Sequence, residues 1–164
     1  MKIFIKDLNE GIHEFQEEIP SKNIELSEPE FYPNPLLLNL YVDRLDNIYR
    51  VKVNVKTGAK YTCDRCLEPF DKEIDDSIEQ IYQLGSGTLD EDGEVEILPK
   101  DTNEIIIDNV IQEVFIMSRS IKSLCSDSCK GLCNLCGTNL NIKQCKCENT
   151  KFDPRLEKLK SLLN

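Results

Sequence analysis

Eight cysteines are the residues of this 164-residue chain whose type and spacing point most directly to chemistry. Two of them form a Cys-x2-Cys pair, and the other six lie close together about sixty residues further on. Thiolate sulfur is a preferred zinc ligand, and a two-residue spacer lets both sulfurs of such a pair reach one ion. The two clusters therefore predict two four-sulfur sites. The predicted ligands are Cys63, Cys66, Cys125, Cys129, Cys133, Cys136, Cys145 and Cys147.

The expected cofactor is Zn²⁺, with two ions in structural sites. His13 is the only histidine, so at least one of the two shells must be all-sulfur. An all-cysteine shell leaves no open position for water, which favours a structural over a catalytic metal. Structural zinc couples roughly 10–16 kcal/mol of binding free energy to folding. Metal would thus replace the hydrophobic core that the polar cysteine-rich segment, residues 121–149, lacks.

Sequence proximity favours one division of the sulfurs, although an exchange of the middle two pairs stays open. The spacing Cys145-x-Cys147 is short for two ligands of one ion, so one of these could lie outside the shell. The favoured division keeps sequence neighbours together, as Cys63, Cys66, Cys125 and Cys129 in one site and Cys133, Cys136, Cys145 and Cys147 in the other.

Three other roles for the cysteines are less consistent with the sequence than metal binding. Disulfides would suit a secreted chain, but the N-terminus lacks the apolar stretch of a signal peptide, and no apolar run would span a membrane. We therefore expect a cytoplasmic protein with reduced thiols. Cys129-x3-Cys133-x2-Cys136 has the spacing of radical-SAM enzymes, which need a large strand–helix barrel. A thioredoxin-like role for Cys63-x2-Cys66 would require a helix directly after the pair.

No catalytic constellation accompanies the cysteines, so we expect a protein that is not an enzyme and has no small-molecule substrate. The charge restricts its partners further. The net charge is −10, and residues 73–108 carry twelve acidic side chains and one basic. Such a chain is not drawn to nucleic acid by its overall field, so any RNA contact must be local. The candidate contacts lie near the cysteines: Lys52, Lys56, Lys60, Arg65, Lys130, Lys143 and Lys146.

The elements that must position the cysteines are mainly strands. Apolar residues alternate with polar ones from Val51 to Cys63, which predicts a long strand with a wet, basic face and a candidate bulge at Gly58. Residues 70–82 supply a partner strand, which places the first cysteine pair at a hairpin tip. Residues 36–42 predict a further strand, and residues 2–19 an edge hairpin that turns near Gly11.

Loops and helices complete the expected fold. Four prolines predict a loop over residues 20–35, and residues 85–103 predict an acidic loop. A strand at residues 105–107 leads into a helix over 108–119, capped by Asp108, with Met117 among its apolar face. A short helix over residues 153–163 ends the chain.

These elements predict an α+β fold. Its core would be an antiparallel sheet or meander with one central helix, followed by a cysteine-rich zinc module and a short C-terminal helix. The expected organisation is a β-rich domain over residues 1–120, with a cysteine knuckle at a hairpin tip, and a zinc-binding module over residues 121–164.

Three strings of the sequence resemble the YceD-like family of bacterial proteins, known as large-subunit ribosomal RNA accumulation proteins. They are CDRCLEPF at 63–70, LCSDSCKGLCNLCGTNLN at 124–141 and DPRLEKL at 153–159. The resemblance covers roughly residues 45–164. It implies a non-enzymatic factor for accumulation of 23S rRNA during large-subunit assembly, with precursor rRNA or a large-subunit ribosomal protein as partner. Some members lack much of the C-terminal cysteine cluster, so the second site could serve stability more than the shared function.

Three functional hypotheses follow. The favoured one is a ribosome-assembly factor whose zinc scaffold presents a local basic surface to rRNA or a ribosomal protein. The second is an acidic adaptor or holdase that binds a basic ribosomal protein. The third is a thiol redox or metal sensor, which would need a labile site.

Overall fold

The computed structural model describes residues 1–85 and 95–147, and a five-stranded sheet dominates it. The sheet has the order β2-β3-β4-β5-β6, and a separate two-stranded sheet joins β1 to β7. The elements are β1 (Lys2–Phe4), β2 (Gly11–Ile19), β3 (Leu36–Leu45), β4 (Ile48–Thr62), β5 (Pro69–Leu84), β6 (Val95–Leu98), β7 (Glu104–Ile106) and α1 (Asp108–Ser118). The antiparallel sheet and the helix agree with the prediction, but the described part is more dominated by strands than an α+β fold suggests.

Strands β4 and β5 form a long hairpin that carries the first cysteine pair at its tip. Their antiparallel register runs without interruption from Ile48 opposite Gln83 to Thr62 opposite Pro69. The bulge considered at Gly58 is therefore absent, and Gly58 pairs with Glu73. Unbroken alternation keeps every second residue of β4 on the buried face right up to the tip, as predicted.

The hydrophobic core lies on one face of this sheet, where β3 and β4 contribute fully buried side chains. Helix α1 covers this face against β4 and β5, and Val110, Ile111, Val114 and Phe115 are its buried residues. The loop predicted over residues 20–35 is present, with two short 3-10 turns at Ser21–Asn23 and Pro29–Phe31. Burying these apolar side chains gives the sheet a core that does not depend on the cysteines.

The predicted ends of the helix need correction. The N-cap position belongs to Ile107, and Asp108 is the first helical residue, where its carboxylate pairs with the amine of Met1. A carboxylate in the first turn still favours the positive end of the helix dipole. Met117 was placed on the apolar face, but it is 71% exposed.

The N-terminal prediction was wrong in its pairing. Residues 2–19 do not form a hairpin, because β1 pairs with β7 and β2 pairs with β3. The partner of β1 is about a hundred residues away, beyond the reach of a local turn argument.

The acidic loop was also drawn too long, because β6 lies within it and pairs with β5 in a parallel arrangement. The rest of the acidic loop at 86–94 and the predicted C-terminal helix lie outside the described residues. Within the described part of the chain, no helix is both long and apolar enough to cross a membrane.

Candidate metal centres

The tip of the β4–β5 hairpin folds as a cysteine knuckle that we call knuckle 1, residues 63–68. The N–H of Leu67 donates to the carbonyl of Cys63 at 2.9 Å, and the N–H of Cys63 donates to the carbonyl of Glu68 at 2.9 Å. These two bonds wrap the chain around the first sulfur. The wrap places Leu67 in the left-handed region, with φ +60°.

The second Cys-x2-Cys pair repeats the same turn, which we call knuckle 2, residues 133–138. The N–H of Gly137 donates to the carbonyl of Cys133 at 2.9 Å, and the N–H of Cys133 donates to the carbonyl of Thr138 at 2.8 Å. Gly137 takes the left-handed position at φ +70°, where glycine has no Cβ clash. Two segments seventy residues apart thus share one hydrogen-bonding pattern.

Cys63, Cys66, Cys125 and Cys129 come together as the first tetrad. All four sulfurs lie within 4.8 Å of one another, with 3.8 Å between Cys63 and Cys129 and 3.7 Å between Cys66 and Cys125. A tetrahedral ion with Zn–S near 2.3 Å requires sulfurs about 3.8 Å apart. A disulfide would require about 2.05 Å. The arrangement therefore fits a four-sulfur metal site, and the thiols are not bridged.

Hydrogen bonds lock knuckle 1 to the downstream cysteines. Asp64 exchanges two bonds with Ser123, one from its N–H at 2.8 Å and one to its carboxylate at 2.7 Å. The Arg65 guanidinium donates to the carbonyls of Asp127 and Cys129 at 3.2 and 3.0 Å. Gly131 has φ +72°, and a Cβ there would lie 3.0 Å from the Arg65 carbonyl. Only glycine fits this approach without displacing the backbone.

The remaining cysteines, Cys133, Cys136, Cys145 and Cys147, form the second tetrad, whose sulfurs also lie within 4.8 Å of one another. Both Cys145 and Cys147 belong to the group despite their one-residue spacing. The structure thus gathers the sulfurs into the same two groups that sequence proximity favoured. It does so with different burial, because the first tetrad has three buried cysteines and the second has one, Cys133.

The electrostatics of the first tetrad favour a bound cation. The backbone N–H of Cys125, followed by those of Cys66 and Arg65, lowers the pKa of the Cys63 thiol to about 6. Loss of solvent around its thiol, together with the sulfurs of Cys63 and Cys129, raises the pKa of Cys125 to about 12. Four adjacent thiolates repel one another, whereas a divalent cation would let all four ionise.

The second tetrad shows the same split. The side chain of Thr138, whose Oγ1 lies 3.2 Å from the Cys136 sulfur, and then its backbone N–H lower the pKa of Cys136 to about 6. The hydrogen bond with Cys136, and then loss of solvent, raises the pKa of Cys147 to about 12. In each tetrad, hydrogen bonds therefore favour the thiolate form of at least one cysteine, while neighbouring sulfurs and loss of solvent favour the thiol form of another.

Asn141 is a supporting residue that the sequence argument missed. In the sequence it falls between Cys136 and Cys145 of the second tetrad. Its side-chain amide nevertheless donates to the Cys129 sulfur of the first tetrad at 3.2 Å. This bond is the largest cause that lowers the pKa of Cys129. The side-chain oxygen Oδ1 of Asn141 accepts from the backbone N–H of Lys130 at 2.8 Å. Nothing about its place in the chain indicated that its side chain supports a sulfur of the first tetrad.

The described part of the cysteine segment, residues 121–147, has almost no apolar interior. Its buried residues are Cys129, Gly131 and Cys133. Cys63, Cys66 and Cys129 form a buried cluster separate from the main core, against which Phe70, Leu124 and Leu132 pack. The first tetrad draws two cysteines from each side of the boundary predicted at residue 120, and that boundary stays a prediction. Sulfur therefore occupies the position that a hydrophobic core would have.

The candidate RNA contacts of β4 lie on the outer face of the sheet, between acidic neighbours. Lys56 pairs with Asp75 at 2.8 Å, while exposed Lys52 and Lys60 stand opposite Glu79 and Asp71. Four basic side chains share this face with seven acidic ones. They are Arg50, Lys52, Lys56 and Lys60 against Glu14, Glu18, Asp43, Asp71, Glu73, Asp75 and Glu79.

The remaining candidates lie in the cysteine segment or at knuckle 1. Lys130, Lys143 and Lys146 are exposed. Arg65 is exposed as well, but its guanidinium is engaged by backbone carbonyls. Residues 119–147 carry five basic side chains and one acidic one, Asp127. Among the residues that the structure describes, positive charge is therefore less compensated in the cysteine segment than on the sheet.

The chain resembles one family and two curated proteins. The family model described as "Large ribosomal RNA subunit accumulation protein YceD" matches residues 51–163, which include both tetrads. A relative from Zea mays, "Large ribosomal RNA subunit accumulation protein YCED homolog 1, chloroplastic", is 27% identical over 143 residues, covering 70% of this chain and 49% of the relative. The Arabidopsis thaliana protein of the same name is 34% identical over 55 residues, covering 34% and 17%. The chain thus spans at most about half the length of these relatives, and no solved structure matches it.

Proposed function

Because the chain belongs to the YceD family, we propose that it is a non-enzymatic cytoplasmic factor that supports accumulation of 23S rRNA during assembly of the large ribosomal subunit. The observation that carries this proposal is the match over residues 51–163, which joins the hairpin, the helix and the cysteine segment in one unit. The partner is precursor 23S rRNA or a large-subunit ribosomal protein.

Zinc is the cofactor of this proposal. Each tetrad would hold one Zn²⁺ through four thiolates, which fits the sulfur separations of the first tetrad. Four protein ligands complete the shell and leave no position for a reactive water, so both ions would be structural. Their role is to order the cysteine segment, whose own apolar burial is too small to fold it.

The surface that contacts RNA in this proposal is the cysteine segment. Its described part, residues 121–147, carries four basic side chains and one acidic one, whereas the lysines of β4 are flanked by carboxylates. Phosphate contacts depend on local positive charge, because counterion release supplies most of the affinity. Lys130, Lys143 and Lys146 are therefore better candidates than Lys52, Lys56 and Lys60.

In-cell crosslinking of the full chain, followed by sequencing of the bound RNA, tests direct contact. We expect enrichment of 23S precursor over other abundant RNA. A variant with Lys130, Lys143 and Lys146 changed to Gln should lose most of this enrichment, while one with Lys52, Lys56 and Lys60 changed to Gln should keep it. Equal recovery of unrelated RNA by the wild-type chain would refute direct recognition of the precursor.

A second function is favoured by the outer face of the sheet, where acidic side chains outnumber basic ones by seven to four. This face suits a basic protein, such as a ribosomal protein that must be held before assembly. Affinity purification after nuclease treatment separates the two functions. One stoichiometric basic protein that survives nuclease would support the adaptor, and loss of all partners would exclude it.

A further inference from the structure

A cleft of about 250 Å³ lies where the β4–β5 hairpin meets the chain that follows α1. Its apolar wall is formed by Tyr61, Phe70 and Leu124. The Tyr61 and Phe70 rings are 6.1 Å apart, and Phe70 is partly exposed. The cleft is smaller than the roughly 300–1,000 Å³ of drug-sized pockets, so its occupant is a small unit.

The polar wall of this cleft is basic and rich in hydroxyls. Lys72 from β5 and Lys122 from the cysteine segment both line it, together with Ser120 and Ser123. The Lys72 ammonium lies 3.2 Å from the Ser120 hydroxyl, which fixes the amine at the cleft. Asp127 is the only carboxylate among the lining residues. Two ammonium groups and two hydroxyls outweigh it and favour an anion.

We propose that this cleft binds one nucleotide of single-stranded RNA, with its phosphate on Lys72 and Lys122 and its base or sugar against Phe70. The proposal rests on the proposed RNA function and names a site for it. Proteins that bind single-stranded RNA combine positive grooves with aromatic side chains in this way. Neither lysine was among the contacts inferred from the sequence.

The first tetrad orders this cleft. Leu124 directly precedes Cys125, and Ser123 is held to knuckle 1 by its two hydrogen bonds with Asp64. One wall therefore depends on the sheet and the other on the metal-bound segment. Loss of the first ion would remove the wall that carries Lys122, so RNA binding at the cleft requires the zinc.

The test uses the full zinc-loaded chain and a fluorescently labelled single-stranded RNA decamer, with affinity measured by anisotropy across a range of salt. Each phosphate contact to a single strand contributes about 0.7 to the slope of log K against log salt. Because both lysines contact the same phosphate, the double variant Lys72→Gln/Lys122→Gln should lower the slope by about 0.7 and weaken binding at least tenfold at low salt. The control Lys6→Gln/Lys22→Gln removes the same charge away from the cleft and should leave the slope unchanged.

A variant that is expected to strengthen RNA binding separates an effect on the cleft from simple misfolding. Asp127→Asn removes the carboxylate that faces the phosphate and should tighten binding about two- to fivefold. A lysine double variant that retains two zinc ions and the wild-type salt slope overturns the cleft, while the proposed RNA function stands. A wild-type chain that does not bind the decamer overturns both the cleft and direct RNA contact.

Discussion

Each tetrad consists of four cysteines and includes one knuckle of the same hydrogen-bonding pattern, yet the two tetrads join different parts of the chain. The first brings together cysteines that are separated by 66 positions (Cys63 and Cys129) and by 59 positions (Cys66 and Cys125) in the chain. Three of its four cysteines are buried. The second closes a segment from Cys133 to Cys147, and only Cys133 is buried. The first tetrad thus brings together the sheet and the cysteine segment, whereas the second gathers sulfurs from within one short segment.

The two parts of the molecule also differ in how much apolar surface they bury. The sheet has a continuous core of apolar side chains between its inner face and α1. The cysteine segment has none of comparable size, and its attachment relies on sulfurs and on backbone bonds such as Asp64 to Ser123. Loss of the first ion should therefore detach the segment, and loss of the second should only loosen its end.

The largest expected effect comes from single ligand substitutions that separate the tetrads. Cys129→Ser should reduce bound zinc from two ions to one and abolish amide-exchange protection in residues 121–132, because about 10 kcal/mol or more of metal binding is lost there. Cys136→Ser should also lose one ion, but protection should disappear only from residue 133 onward. Strands β3 to β5 should keep their protection in both variants.

Elemental analysis with hydrogen-exchange mass spectrometry checks this comparison. The ligand substitutions change the side-chain size little, because serine is close in size to cysteine. Ser128→Ala, at an exposed position next to Cys129, is the control and should keep both ions. Identical exchange patterns in the two ligand variants would contradict the inference that the first tetrad attaches the cysteine segment to the sheet and the second stabilises only its own loop.

A smaller effect is expected at Asn141, whose side chain supports a sulfur of the first tetrad. Asn141→Ala removes the amide that donates to the Cys129 sulfur. Replacing a residue that orients a metal ligand typically lowers metal affinity about 10–100-fold. Competition with a chelator should therefore show that the zinc affinity of the first tetrad falls at least tenfold. Asn134→Ala, at an exposed position in knuckle 2, should leave it unchanged. Equal affinities in the two variants would mean that the amide has no role in metal binding.

The smallest effect concerns the left-handed position that the knuckles share. Leu67 is 63% exposed at φ +60°, so Leu67→Gly relieves backbone strain with little loss of buried surface. A left-handed non-glycine residue costs roughly 1–2 kcal/mol, and the flexibility of glycine offsets part of this gain. Urea titration should show stabilisation of up to about 1 kcal/mol, and Gly137→Ala a loss of similar size. A destabilised Leu67→Gly would show that the exposed leucine has a contact of its own.

The sequence was sufficient where local patterns decide the structure. Alternation from Val51 to Cys63 predicted a strand that runs straight into knuckle 1, and the structure has it. The grouping of the sulfurs also followed from proximity, because neighbouring cysteines on a short turn reach the same point in space. The family resemblance, carried by three short strings, was confirmed over residues 51–163.

Long-range pairing and fine packing were not predictable in the same way. Lys2 pairs with Ile106, and no local periodicity connects two strands so far apart. Strand β6 was predicted as loop because the apolar residues Val95, Ile97 and Leu98 lie among many acidic side chains. The lysines of β4 are basic along the strand but are compensated by carboxylates across it, which only the register reveals.

The account depends on two sulfur-bound ions, and their stoichiometry is its most direct test. Protein purified anaerobically should contain two zinc ions per chain, and all eight thiols should react with an alkylating reagent after denaturation. A strong chelator should then remove protection from residues 121–147 and leave the sheet folded. A chain without zinc whose thiols are bridged, or a cysteine segment that stays ordered after metal removal, would contradict the account.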